Sequence, residues 1–229
     1  DHGCDWSSDV CSSDLLMSSA RRVAELDAWT KAGHWKRSIE AGHFGTDVHG
    51  KTLGIVGMGN IGASIARRGH FGFNMPILYS GNSHKPELEQ QMGAQFRSLD
   101  QLLAESDFVC LVVPLSEKTK HLIGTRELAL MKPSAILINI SRGPVVDEPA
   151  LIEALQNNTI RGAGLDVYEK EPLAESPLFQ LNNAVTLPHI GSATHETRQA
   201  MADRAYQNLR SALLGEKPQD LVNPQVWKG

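Results

Sequence analysis

Between residues 52 and 68 an apolar run, Thr52-Leu-Gly-Ile-Val56, passes without a linker into Gly57-Met-Gly59-Asn60-Ile61-Gly62 and then into a helical pattern. Strand, glycine turn and helix in that order leave few folds open. The first glycine permits a tight turn, the second lets the backbone come close to a ligand, and the third allows the helix to pack against its strand. The N–H groups at the start of such a helix favour an anion. Glycine turns without a ligand are common, but a strand before and a helix after make Gly57, Gly59, Asn60, Ile61 and Gly62 the expected cradle of a dinucleotide pyrophosphate.

The same alternation continues along the chain. Strands are expected over 52–56, 75–79, 108–113, 135–140, 162–167 and 184–187. Helices are expected over 61–69, 99–105, 126–131, 148–156 and 194–214, with a polar turn after the second strand. A helical segment over 17–32, with Val23, Leu26 and Trp29 at helical spacing, and a linker over 42–50 come before them. Strands alternating with helices imply an α/β fold, a doubly wound parallel sheet of the Rossmann type, whose ligands sit beyond the carboxyl ends of the strands.

Three ionisable residues suited to one substrate fall in that zone: Arg142 in INISRGPVVDE, Glu171 in GLDVYEKEP and His189 in LPHIGSATHE. An arginine can hold a carboxylate through two parallel charge-assisted hydrogen bonds, and a histidine can give a proton to a carbonyl oxygen near neutral pH. A carboxylate beside that histidine fixes its tautomer and favours its charged form. Each residue alone is weak, since a histidine after proline is more often a packing residue at a strand end. Together with the glycine turn they point to reduction of a 2-oxo acid, with His189 as proton donor, Arg142 on the carboxylate and Glu171 orienting His189.

Cofactor choice is read at the end of the second strand. A carboxylate there binds the ribose hydroxyls of NAD(H) and repels a 2′-phosphate. This chain has Tyr79-Ser80-Gly-Asn82-Ser-His84-Lys85, with no acid before Glu87, so Ser80 and Asn82 are expected to face the adenosine ribose and NADP(H) is favoured over NAD(H). The same residues also suit a plain turn.

The glycine motif, followed in order by Arg142, Glu171 and His189, and strings such as GTDVHGKTLGIVGMGNIG and PHIGSATHETR resemble the D-isomer-specific 2-hydroxyacid dehydrogenase family from about residue 16 to the C-terminus. The resemblance implies a small 2-oxo acid substrate such as glyoxylate, hydroxypyruvate or 2-ketogluconate, a cytoplasmic enzyme and a homodimeric full-length protein. It also implies that Val113, Pro114 and Thr119 border the adenosine side, Ile140 and Asp166 the nicotinamide side, and Gly191 the carboxamide. Asp166 also suits a strand-end cap. Gly191-Ser-Ala differs from the corepressor branch of the family, which weakens the alternative of a nucleotide-sensing binding protein.

Composition excludes other partners. The formal charge of −4 comes from Asp1, Asp5, Asp9 and Asp14, and the remainder of the chain is balanced, so neither nucleic acid nor an anionic membrane is expected as a partner. No apolar run reaches the roughly 18 residues of a membrane helix. No metal site is expected either. Cys4 and Cys11 stand in a leader without ligand partners, and Cys110 sits in an apolar strand as a buried thiol.

Residues 1–15 show no helical or strand period, and DWSSDVCSSDL resembles a translated sequencing adapter, so this leader is expected to be non-native and outside the fold. The expected organisation is then a leader over 1–15, a Rossmann domain over 16–194, and a helix and tail over 195–229 that would return to a substrate domain of roughly 100 residues preceding this chain. On that reading an inactive, cofactor-binding fragment is the competing possibility.

Overall fold

The seven strands are all parallel and lie in the order β3-β2-β1-β4-β5-β6-β7 in a computed structural model that describes residues 6–227. They are β1 (Leu53–Val56), β2 (Ile77–Ser80), β3 (Gln95–Phe96), β4 (Phe108–Leu111), β5 (Ile136–Asn139), β6 (Gly162–Leu165) and β7 (Ala184–Thr186). From β1 the chain winds outward through β2 to β3, then returns to the other side of β1 and winds outward again from β4 to β7. The reversal between β1 and β4 opens a crevice at their carboxyl ends. Register places Val56 beside both Ser80 and Leu111, so the turns after β1, β2 and β4 leave the sheet side by side.

Helices α1 (Trp6–Arg21), α3 (Asn60–Phe73), α4 (Pro86–Met92), α5 (Leu99–Glu105), α6 (Thr125–Leu130) and α7 (Glu148–Gln156) cover the two faces of the sheet, and α2 (Val23–Lys31) and α8 (His195–Leu213) complete the helices among the described residues. The central strands β1, β4, β5 and β6 are buried throughout, yet alternate residues feed two separate cores. Val109, Leu111 and Leu137 meet Leu102, Leu103, Leu128 and Leu151 from α5, α6 and α7. Phe108, Cys110, Ile136 and Ile138 meet Leu15, Leu16, Ile65 and Leu88 from α1, α3 and α4. This two-sided burial explains why the strands read as unbroken apolar runs. On α3 the buried residues Gly62, Ile65, Ala66 and Gly69 form one helical stripe. Ser98 and Gln101 form a capping box that starts α5, and Asp147 caps α7.

The structure corrects three expectations. The leader is not aperiodic: α1 starts at Trp6, and Cys11, Ser12 and Leu15 are buried, because a small and apolar stripe is enough when a sheet face is there to cover. The single helix expected over 17–32 is two helices, broken at Arg22, whose left-handed backbone (φ 55°) is held by an ion pair with Glu25 and a hydrogen bond to Gly42 O. Val23 lies exposed in α2, which buries no residue. The polar turn after β2 contains α4 and the edge strand β3. Leu88 and Met92 anchor α4 behind Pro86, while a two-residue strand is too short to show a period.

Cys110 is buried, as expected, and burial pushes its thiol up to about 12. Cys4 lies outside the described residues. No described helix is long and apolar enough to cross a membrane. Two compact units can be distinguished, the larger being Ser8–Gly191 and the smaller containing α8. Within the smaller unit, α8 starts at a Thr194 cap and buries no residue.

Candidate active site

The glycine turn has the geometry its spacing implies. Gly57 has φ 102°, where an added Cβ would stand 2.7 Å from Val112 O, and Gly62 presses α3 so close that its Cβ would lie 2.3 Å from Gly57 O. Gly59 is different. A Cβ there would meet no protein atom within 4 Å, so packing does not explain the glycine. Gly59 is the N-cap of α3 and supplies no side-chain cap, which leaves the first N–H groups of a 14-residue helix without one. A backbone accessible from outside, next to N–H donors and a positive helix end, fits a pyrophosphate. Asn60 and Ile61 form the first helical residues of this cradle.

Gly59→Ala should therefore lower the thermal midpoint by no more than about 2–4 °C, the size of a weakened cap in a domain this large. The same change should weaken NAD(P)H binding at least about tenfold, because a methyl group blocks the approach. Fluorescence titration checks this; unchanged affinity would remove Gly59 from the cradle.

Every residue expected at the site from the sequence lies at the carboxyl edge of the sheet. Ser80 ends β2, and Asn82 follows it. Val113 and Pro114 follow β4, where Thr119 closes a loop by donating to Pro114 O (2.6 Å) and accepting from Ser116 N–H (2.8 Å). Ile140 and Arg142 follow β5, Asp166 and Glu171 follow β6, and His189 and Gly191 follow β7.

Buried polar groups tie together the segments that carry Arg142, Glu171 and His189. Asn139, the last residue of β5 and 1% exposed, accepts from Ser141 N–H (3.1 Å) and Ser141 Oγ (2.8 Å) and donates to Arg142 O (3.2 Å), which shapes the turn carrying Arg142. The next residue, Gly143, packs so tightly that an added Cβ would lie 1.8 Å from Tyr168 O. Tyr168 N–H donates to Glu171 Oε1 (3.0 Å), and Tyr168 Oη donates to Leu187 O (2.9 Å), just before His189. The Arg142, Glu171 and His189 segments are thus stitched to one another. Asn139 and Tyr168 were missed from the sequence, although a lone polar residue ending an apolar strand is a signal that could have marked Asn139.

His189 Nδ1 lies 2.7 Å from Glu171 Oε2. A carboxylate only accepts, so Nδ1 carries the proton in this pair and Nε2 is left for a substrate. Burial alone would raise the Glu171 carboxyl, but hydrogen bonds from His189 and Tyr168 and the nearby charges of His189 and Arg142 outweigh it and hold the group below the usual carboxylate range. His189 itself has a left-handed backbone, φ 54°, uncommon for a residue with a side chain. Asp166 holds it there: its carboxylate, 2% exposed, accepts from Ile190 N–H (2.7 Å) and Gly191 N–H (2.9 Å). Those bonds are the ones a strand-end cap would make.

A cavity of about 510 Å³ beside this pair is lined by Tyr168, Glu171, Leu173, Phe179, Leu187 and His189. A larger one, about 740 Å³, is lined by the first residues of β5, β6 and β7 and shares Phe179 with the first, but contains none of Arg142, Glu171 and His189. Among the described residues no group of His, Cys, Asp or Glu could hold a metal ion.

A glycine turn at a topological switch point, with a carboxylate-paired histidine and an arginine along the same edge, defines a nicotinamide-dinucleotide oxidoreductase fold. The chain belongs to the D-isomer specific 2-hydroxyacid dehydrogenase family, and residues 14–191 match its NAD binding domain. It is 59% identical over 215 residues to glyoxylate/hydroxypyruvate reductase B of Pectobacterium carotovorum, an alignment covering 93% of this chain and 67% of that protein. Among solved structures it resembles a glyoxylate reductase from Paecilomyes thermophila, with 39% identity, a TM-score of 0.85 and coverage of 96% and 65%. It also resembles D-lactate dehydrogenase with NAD+ from Lactobacillus jensenii, with 26% identity, a TM-score of 0.85 and coverage of 96% and 69%. The chain thus spans about two thirds of the length of these relatives.

Proposed function

We propose that this chain carries the cofactor-binding and proton-transferring half of an NAD(P)H-dependent reductase that converts a small 2-oxo acid to the D-2-hydroxy acid. The observation that carries this reading is the 2.7 Å Glu171–His189 pair beside Arg142, at the same sheet edge as the Gly57–Gly62 turn. When bound, the nicotinamide ring supplies a hydride to the carbonyl carbon of the 2-oxo acid. Arg142 holds the substrate carboxylate by charge-assisted hydrogen bonds, and its field favours negative charge on the carbonyl oxygen. His189 gives its Nε2 proton to that oxygen, completing the hydroxyl group, and Glu171 holds the ring in the tautomer and orientation this requires. Ile140 and the Asp166-braced turn at Gly191 would border the nicotinamide, and Val113, Pro114 and Thr119 the adenosine. The names of the relatives make glyoxylate and hydroxypyruvate the first substrates to try.

The test is oxidation of NADPH and NADH by the chain with glyoxylate, hydroxypyruvate and 2-ketogluconate, alongside nucleotide binding measured by fluorescence. Tight nucleotide binding with no turnover on any 2-oxo acid would favour a cofactor-binding role instead.

NADPH is proposed as the preferred cofactor, because β2 ends without a carboxylate. Ser80→Asp is expected to shift the kcat/KM ratio toward NADH by about tenfold or more, since the new charge repels the 2′-phosphate and accepts from the ribose hydroxyls. A wild-type ratio that already favours NADH would remove the proposal.

A further inference from the structure

The loop leaving β2 lies against the glycine turn: Gly57 N–H donates to Ser80 O at 2.9 Å, and a Cβ built on Gly81 would come within 3.9 Å of Met58 N. The side chains beyond it are joined in one network. Tyr79 Oη donates to Glu89 Oε1 (2.5 Å), and Lys85 N–H donates to Tyr79 Oη (2.7 Å). His84 Nδ1 lies 3.1 Å from the same Oε1. The His84 ring stands on Phe96, with centroids 4.4 Å apart and planes 32° apart, and Phe96 in turn meets the edge of Tyr79. Because Tyr79 is fully buried, the network is fixed from the core outward.

Two consequences follow. Glu89, on the helix nearest the loop, is engaged by Tyr79 and His84, and those hydrogen bonds hold its carboxyl below the usual range. It is a committed ion rather than a free carboxylate facing a ligand. Secondly, Glu89 can only accept, so His84 Nδ1 is the donor of that bond. The neutral ring therefore presents a lone pair at Nε2, and the protonated ring presents an N–H and a positive charge. No hydrogen bond to that Nε2 is found among the described residues, and His84 is largely exposed, with 66% of its side chain accessible.

We propose that His84, oriented by Glu89 and Phe96, recognises the 2′-phosphate of NADPH, and that the preference for NADPH over NADH falls as this ring loses its proton. The proposal rests on the dinucleotide reading above. In neutral solution an imidazole changes charge. Deprotonation then exchanges a charge-assisted donor for an acceptor aimed at phosphate oxygens, reversing the sign of the interaction. The other charged or titratable groups on the elements packed against the ring are Glu89 and Glu87 of α4, Tyr79 of β2 and Lys85 of the loop. Arg97, which follows Phe96, is turned to Glu105 and Gln95. A phosphate monoester gains negative charge near pH 6, which strengthens binding to a cation as pH rises and so opposes the expected fall.

The experiment measures Kd for NADPH and for NADH, by fluorescence, at pH 6 and pH 8.5 for the chain, His84→Gln and Glu89→Gln. The expected NADPH preference of the wild type falls about tenfold across this range, the size of one charge-assisted hydrogen bond. In His84→Gln the preference is low at both pH values while NADH affinity is unchanged, which a merely structural role would not produce. In Glu89→Gln the preference at pH 6 falls but its pH dependence persists, since the ring remains and only its orientation is lost. A preference that is independent of pH in the wild type, or unaltered in His84→Gln, overturns the assignment of His84 and leaves the dinucleotide reading intact. Failure of both nucleotides to bind overturns both.

Discussion

His189→Gln is expected to lower kcat/KM for 2-oxo acid reduction by about 10²- to 10⁴-fold, the usual worth of a positioned proton donor. Nucleotide affinity should be unaffected, because the proposed role of His189 is toward the carbonyl and that of the Gly57–Gly62 turn toward the pyrophosphate. The pH profile tests the partner. Glu171 has a depressed pKa, so it keeps its charge as pH falls through the ordinary carboxylate range, and its pairing with His189 is lost on the acid side only below that range. Reduction needs the His189 proton and should fade as pH rises, while oxidation of the 2-hydroxy acid needs the neutral ring and should grow. Glu171→Gln removes the carboxylate that favours the charged ring, so the fading of reduction should move to lower pH. An active Glu171→Gln variant with an unmoved profile would show that the carboxylate has some other role.

Gly143→Ala should damage both the fold and the site. Its Cβ would stand 1.8 Å from Tyr168 O, 1.9 Å from Tyr168 C and 2.5 Å from Glu169 N, all backbone atoms that cannot rotate aside. Overpacking of this kind costs about 1–3 kcal/mol, and in a domain of this size that lowers the thermal midpoint by about 2–12 °C. Activity should fall further than stability, because the displaced strands carry Arg142 on one side and Glu171 on the other. The contrast with Gly59→Ala is informative: two glycines on the same sheet edge, one enforced by the protein's own backbone and one by what approaches from outside. If Gly143→Ala kept the wild-type midpoint and turnover, the close approach of the β5 and β6 loops would not be what positions the site.

How far the sequence reaches can be judged from particular elements. The strand, glycine turn and helix from Leu53 to Gly69, the helices α5 and α7, and a parallel sheet were legible because each rests on a local signal: a period, the alternation of strands with helices, or a glycine that no other residue can replace. Arg142, Glu171 and His189 were legible as residue types suited to one substrate. The sequence did not disclose α4 and β3, whose few apolar residues make sense only against the sheet edge. It also hid the helical leader, because Cys11 and Leu15 look like stray residues until a sheet face lies beneath them. What only the tertiary structure decided is the support behind Arg142, Glu171 and His189. Asn139 holds the Arg142 turn, Tyr168 joins the Glu171 loop to the strand before His189, and Asp166 keeps His189 in its left-handed conformation. These bonds join residues that are far apart in the chain and satisfy backbone groups at the ends of strands. A sequence shows which groups need partners, but only the folded sheet decides which segment arrives to meet them.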